Sequence, residues 1–152
     1  MPNTIRLHRV LRAPAERVYR AFLDKNAIAK WLPPNGFTCD VHQMDAKVGG
    51  KFRMSFTNFA TGASHSFGGE YLELTPGTHI LYTDVFDDPH LAGEMRTEIK
   101  LRDTPQGAEI SIAQSGIPDL IPPEACYLGW QESLILLGKL VEADIPAEGA
   151  PS

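Results

Sequence analysis

The chain has 152 residues, of which 43% are hydrophobic and 22% are charged, a composition typical of a globular protein with one substantial core. Its formal net charge of -5, without any basic run, argues against nucleic acid or an anionic membrane as a partner. No apolar run approaches the roughly 20 residues that span a bilayer, and no signal peptide is recognisable, so we expect no membrane insertion. Cys39 and Cys126 form no closely spaced pair, which favours free thiols in a reducing, cytoplasmic setting.

The N-terminal part of the chain predicts one strand followed by two helices. Imperfect alternation of apolar and polar residues predicts a partly exposed strand over residues 5–12. Pro14 suits the first turn of a helix, and Glu16 is favourable at the same positive end of the helix dipole. A second, short helix is predicted over residues 25–31, and the Pro-Pro-Asn-Gly sequence at residues 33–36 ends it.

The middle of the chain alternates with a period of two and predicts six further strands. They cover residues 37–42, 52–57, 66–74, 78–86, 95–102 and 109–115. Short segments rich in turn-forming residues separate them, whereas parallel strands need longer crossover connections. The six strands are therefore predicted to form an antiparallel meander.

The longest predicted helix covers residues 123–143, and Pro122 and Pro123 pre-set its first turn. Its apolar stripe consists of Cys126, Trp130, Leu134, Leu137 and Val141. Residues 146–152 are predicted to be a disordered tail. No internal repeat or linker is apparent, so residues 1–145 are expected to form a single domain.

Four short segments carry a resemblance to a known superfamily. They read RAPAERVY at residues 12–19, AKWL at 29–32, GEYLEL at 69–74 and GWQESL at 129–134. Over residues 4–143 the chain resembles the START-like (SRPBCC, helix-grip) superfamily, and within it the branch related to the activator of Hsp90 ATPase. The resemblance implies an α+β helix-grip fold of β-α-α-β6-α order, in which a curved antiparallel sheet wraps around the long C-terminal helix. The superfamily uses this scaffold in ligand carriers, co-chaperones and a few enzymes, so the segments identify the fold better than the function.

A curved sheet around an amphipathic helix encloses volume, and whatever the side chains leave unfilled is a cavity. We expect it to bind a small hydrophobic or amphipathic ligand. The candidate ligand-binding residues are Trp31, Met54, Phe56, Tyr82, Asp84, Met95, Thr97, Cys126 and Trp130. The alternative is that the aromatic and methionine side chains pack a dry core. For Trp31 the two interpretations are a lid over the ligand and an anchor between helix and sheet.

Asp84 departs from the family pattern, because the resemblance implies an aromatic residue near this end of the strand. It falls on the same strand face as Tyr82. A buried Asp84 would orient the polar end of a ligand, or act as an acid or base with a raised pKa. The alternative is an exposed carboxylate at the strand end beside Asp87 and Asp88.

The sequence shows no signature of a metal ion, a cofactor or a catalytic group. The histidines have no metal-binding spacing; they are His8, His42, His65, His79 and His90. Neither a nucleophile motif nor a phosphate- or dinucleotide-binding motif occurs in a strand-to-helix context. Cys126 falls on the inner stripe of the long helix, which favours a small buried hydrophobe over a nucleophile.

Three functional hypotheses remain open at this point. The first is binding of a lipid, polyketide or aromatic metabolite in the cavity. The second is a co-chaperone role with an Hsp90-type partner, which is less favoured because we find only the one domain. The third is a cyclase- or hydrolase-like enzyme, which needs converging polar groups such as Asp84, Tyr82 and Thr97. A homodimer through exposed edge strands is compatible with all three.

Overall fold

Seven strands form one antiparallel sheet in the computed structural model, which describes residues 3–145. The strands are β1 (Asn3–Leu11), β2 (Phe37–Met44), β3 (Lys51–Asn58), β4 (Ser64–Thr75), β5 (His79–Phe86), β6 (Met95–Thr104) and β7 (Gly107–Ile117). Consecutive strands from β2 to β7 are neighbours, and β1 pairs with β7, so the order is β1-β7-β6-β5-β4-β3-β2. The predicted meander is confirmed, and β1 and β2 are the two edges of the sheet.

Three α-helices accompany the sheet: α1 (Ala15–Leu23), α2 (Lys25–Trp31) and α3 (Pro123–Val141). Pro14 precedes α1 with a φ of -65°, which is the value that its ring imposes. The carboxylate of Asp24 caps α2 by accepting hydrogen bonds from the backbone N–H groups of Asn26 and Ala27. The order of elements is β-α-α-β6-α, as the resemblance implied, and the α+β helix-grip fold is confirmed.

The strand limits lie within two residues of the predicted ones, and α3 ends two residues before position 143. The strands are mostly longer than predicted because cross-strand pairing continues to the turn, as where Thr104 pairs with Gly107. The predicted disordered tail at 146–152 lies outside the described residues. Among the helices of residues 3–145, none is both long and apolar enough to cross a bilayer.

The core lies between the inner face of the sheet and α3. Alternate residues of β6 and β7 are buried, and Ile99 and Ile110 are almost completely enclosed. On α3 the predicted apolar stripe is buried from Trp130 to Val141, whereas Cys126 near the start of the helix is only half-buried. Each fully buried aliphatic side chain contributes about 1.5–3 kcal/mol. This contact therefore holds α3 against the sheet, and the space that it leaves open lies towards the start of the helix.

Hydrogen bonds join the two short helices to the rest of the molecule. The guanidinium of Arg17 in α1 donates to the carbonyl of Val141 at the end of α3, with an N–O distance of 2.9 Å. The hydroxyl of Ser133 in α3 donates to the carbonyl of Leu32 at 2.6 Å. The segment after α2 is therefore held against the middle of α3, where it forms one wall of the cavity described next.

Candidate ligand-binding cavity

A cavity of about 280 Å³ lies between the inner face of the sheet and the N-terminal half of α3, and it opens to solvent. This volume is close to the lower end, about 300 Å³, of the range found for small-molecule sites. Apolar and aromatic side chains make up most of the walls, and a few polar groups lie among them. The cavity therefore fits a molecule built on one ring system rather than a long acyl chain.

Six of the nine predicted site residues line this cavity. They are Phe56, Tyr82, Asp84, Met95, Cys126 and Trp130. The first four come from β3, β5 and β6, and the last two from the face of α3 that is turned towards the sheet. The fold thus brings together residues that are up to 74 positions apart in the chain.

Met54 and Thr97 lie next to the cavity without forming its wall. Met54 is buried and lines a smaller space of about 30 Å³, which can hold water but is too small for an organic ligand. Thr97 is fully enclosed beneath the cavity floor and accepts a hydrogen bond from the side-chain amide of Gln114. Both side chains are buried and neither lines the 280 Å³ cavity, so direct ligand contact by Met54 and Thr97 stays a prediction.

Trp31 lines neither of these two spaces, a position that favours the anchor interpretation over the lid. Its side chain is completely buried, and its indole N–H donates to the carbonyl of Ala21 in α1 at 2.9 Å. The ring also packs edge-on against Phe22, with 4.7 Å between the ring centroids. Trp31 therefore joins α1 to α2, which resembles the anchor interpretation except that its partners are helical.

A group of aromatic side chains that the sequence did not single out surrounds the outer part of the cavity. The ring of His65 lies about 6 Å, centroid to centroid, from four phenylalanine rings, namely Phe37, Phe56, Phe67 and Phe86. All five residues line the cavity. The sequence could have predicted Phe86 as a lining residue, because it alternates with Tyr82 and Asp84 on one strand face. His65 gave no such signal, because it lies ahead of the predicted start of its strand.

A row of hydrogen-bonded polar side chains crosses the cavity floor. Tyr82, Thr97 and Gln114 are paired in register across β5, β6 and β7. The Gln114 amide donates to the Thr97 hydroxyl at 3.1 Å, and the Trp130 indole N–H donates to the Gln114 amide oxygen at 3.2 Å. Thr97 is also hydrogen-bonded to the Tyr82 hydroxyl. These groups satisfy one another, so they fix the position of the aromatic rings that border the cavity.

Asp84 differs from that row because its carboxyl group is not satisfied. The residue is 9% exposed, and its Oδ1 atom is buried without a hydrogen-bond partner. Burial raises the pKa of the carboxyl group to about 8, although the nearby backbone N–H of Val85 acts in the opposite direction. The exposed strand-end alternative is therefore excluded. Asp84 is among the residues that line both the 280 Å³ cavity and the 30 Å³ space.

Two other ionisable side chains on the cavity walls are held in their neutral forms. Burial, and to a smaller degree the charge of Asp84, raises the pKa of the Tyr82 hydroxyl well above its ordinary value. Burial also raises the pKa of the half-buried Cys126 thiol, so little thiolate forms and the group is a poor nucleophile. Within residues 3–145, no three histidine, cysteine, aspartate or glutamate side chains lie close enough together to hold a metal ion.

An antiparallel sheet packed against a long C-terminal helix is the architecture of START-like helix-grip proteins, and solved structures share this fold. Protein CV1439 from Chromobacterium violaceum is 64% identical, with a TM-score of 0.93 over 95% of this chain and 100% of its own. Protein NE0264 from Nitrosomonas europaea is 21% identical, with a TM-score of 0.78 over 91% and 94%. An AHSA1-like protein from Aeromonas hydrophila is 20% identical, with a TM-score of 0.74 over 92% of both chains.

The family model described as "Activator of Hsp90 ATPase homolog 1-like protein" matches residues 12–142. This range covers most of the chain, so the protein belongs to the AHSA1-like family, and the predicted resemblance is confirmed. A search of curated proteins finds no significant match.

Proposed function

We propose that the protein binds a small, mainly apolar molecule whose polar end meets Asp84 in the cavity. The observation that carries the proposal is that Asp84, which has a buried carboxyl oxygen without a hydrogen-bond partner, is one of the residues lining an aromatic-walled cavity. A buried polar group without a hydrogen bond costs stability, and an apolar side chain at this position would avoid that cost. Unfavourable groups of this kind are concentrated at binding and catalytic sites.

Binding is favoured over catalysis by what surrounds Asp84. Catalysis by proton transfer needs a second group that completes the reaction, such as a nucleophile or a partner base. Of the nearby polar side chains, Gln114 on the cavity wall donates a hydrogen bond to Thr97 beneath it. The hydroxyl of Tyr82 and the thiol of Cys126 have raised pKa values, which makes both weak acids and poor nucleophiles near neutral pH.

Native mass spectrometry of the purified protein tests whether the cavity carries a ligand. We expect a non-covalently bound small molecule to be retained by the wild type and lost from Asp84→Asn. The matched control is Asp40→Asn, which removes a carboxyl group from an exposed position in β2 and should keep the ligand. Equal retention by all three proteins would show that Asp84 has no part in binding.

Fluorescence gives a second measurement, because the chain has two tryptophans and only Trp130 lines the cavity. In a Trp31→Phe background, added ligand should change the emission of Trp130 alone. A library of small aromatic and alicyclic molecules that never changes this emission would contradict the proposal.

A protein-interaction role is the second candidate, and it rests on the outer face of α3. Leu128 and Ile135 are 59% and 61% exposed, and since they are seven residues apart they lie on the same side of the helix. Together with the family name, they support a contact with an Hsp90-type chaperone. The test is the ATPase rate of purified Hsp90 with the wild type and with the Leu128→Glu/Ile135→Glu variant. A rate that the wild type leaves unchanged would rule this role out.

A further inference from the structure

We propose that the polar end of the ligand is a protonated amine, so that the protein recognises small amphipathic ammonium compounds with an apolar or aromatic body. The inference rests on the proposed function and adds the chemical class of the ligand. Three features of the cavity carry it: the sign of the charge on its walls, the aromatic side chains around Asp84, and the missing partner of the carboxyl group.

The charge on the cavity walls favours a cation. The 280 Å³ cavity is lined by no lysine or arginine of the described residues, and Asp84 is its one carboxyl group. The other titratable side chains on its walls are His65 from β4, Tyr82 from β5 and Cys126 from α3. Tyr71 of β4 lines the smaller space together with Asp84. None of these supplies a fixed positive charge, since burial lowers the pKa of His65. A carboxylate or phosphate ligand would therefore enter without a counterion.

The aromatic residues near Asp84 strengthen the preference. Phe86 lies two residues along the same strand face, and Phe67 is its cross-strand partner. Phe56 packs edge-on against Phe67 with 4.9 Å between the ring centroids, and Trp130 forms part of the wall on the helix side. The faces of such rings attract ammonium groups, most strongly where water is excluded. A carboxylate surrounded by aromatic rings can bind an alkylammonium ion through both charge pairing and cation–π contacts.

The unpaired carboxyl oxygen of Asp84 distinguishes between ligand polar groups of similar size, such as a hydroxyl and an ammonium group. A ligand hydroxyl would give Asp84 one hydrogen bond, whereas an ammonium group supplies up to three donors and the opposite charge. When the ammonium binds, the carboxyl group gives up its proton to solvent and the two charges pair inside the cavity. Binding therefore releases a proton near neutral pH, because the free carboxyl group is largely protonated there.

Calorimetry with three probes of equal length tests the inference at pH 7: 4-phenylbutylamine, 4-phenylbutan-1-ol and 4-phenylbutanoate. The wild type should bind the amine about 10-fold more tightly than the alcohol, and the carboxylate most weakly. Asp84→Asn should bind the amine and the alcohol within about twofold of each other, whereas the exposed-site control Asp40→Asn should behave as the wild type. Titrations in two buffers of different ionisation enthalpy should show roughly one proton released per amine.

Each outcome decides the question. If the alcohol or the carboxylate binds as tightly as the amine, the ammonium inference is overturned while the proposed ligand-binding function stands. If none of the three probes binds, the ammonium inference is overturned, and native mass spectrometry of the purified protein decides the ligand-binding function separately. The comparison of probes on the wild type does not depend on any variant, so misfolding of Asp84→Asn, which circular dichroism would detect, leaves the main result intact.

Discussion

In water a carboxyl group such as that of Asp84 has a pKa near 4. In the folded protein the pKa of this group depends on the surroundings in which β5 places it. Met95 is its cross-strand partner and Tyr82 lies two residues away on the same face, so the group meets apolar and aromatic surfaces instead of solvent. The same residue type at Asp87, directly after the end of the strand, pairs with Arg53, and this contact lowers the pKa of the Asp87 carboxyl group. The sequence indicated both positions, but only the register of β5 decides which carboxyl group is buried.

The first prediction concerns the pH dependence of stability at Asp84. The folded-state pKa of about 8 exceeds the unfolded value of roughly 3.9, so the folded state binds more protons between these pH values. The free energy of unfolding of the wild type should therefore fall, relative to Asp84→Asn, as pH rises from about 4 to about 8, and the difference should then level off. We expect a final difference on the order of a few kcal/mol.

Urea denaturation of both proteins at intervals from pH 4 to pH 9 measures this difference. All other titratable groups are common to the two proteins, so their contributions cancel. Parallel curves would mean that Asp84 keeps an ordinary pKa and is not desolvated.

At the scale of elements, the helices and strands were predictable because each carries its own periodicity and end signals. Pro14, Pro122 and the capping Asp24 mark helix starts locally. Contacts between elements carry no comparable local signal. The sequence placed Trp31 at the mouth of a cavity because it ends α2, but its partner is a carbonyl of α1, ten residues earlier in the chain. Which neighbour a buried indole meets depends on how two helices cross, and residue spacing does not specify this.

The second prediction follows from that contact. Trp31→Phe removes the indole N–H and leaves the carbonyl of Ala21 without this partner in a buried position. The expected loss is about 1–3 kcal/mol in the free energy of unfolding. Ligand affinity, measured through Trp130, should change less than about twofold, because Trp31 does not line the cavity. A variant of normal stability that binds ligand poorly would restore the lid interpretation.

At the scale of the whole molecule, the meander and the position of α3 follow from short connections, since strands joined by tight turns become neighbours. The cavity depends on contacts between distant parts of the chain. Its lining combines the start of β2 at Phe37, the end of β5 at Phe86 and the first turns of α3. A shift of register in any of the intervening strands would exchange lining and exposed side chains. This is why Phe56, Tyr82 and Trp130 were predictable as inward-facing residues, while His65 and Gln114 were not predicted as their neighbours.

The third prediction tests whether the open volume of the cavity is a ligand-binding site or a packing defect. Gly129 lies on the cavity wall between Cys126 and Ser133, which are one turn away on either side and line it too. A Cβ added at Gly129 would meet no atom within 4 Å. Gly129→Ala should therefore stabilise the protein by about 0.5–1 kcal/mol, because alanine is the better helix former. Gly129→Leu should reach into the cavity and fill part of it.

The two variants separate a packing defect from a binding site. If the volume were only a defect, leucine would stabilise the protein further by burying apolar surface, and no other property would change. If the volume holds a ligand, leucine should preserve the fold but reduce affinity at least ~10-fold, while alanine leaves affinity nearly unchanged. Thermal unfolding and titration of Trp130 emission measure the two properties on the same samples. If the leucine variant keeps its affinity, the ligand binds outside this cavity. If it loses binding but keeps its stability, the open volume between the sheet and α3 is the ligand-binding site.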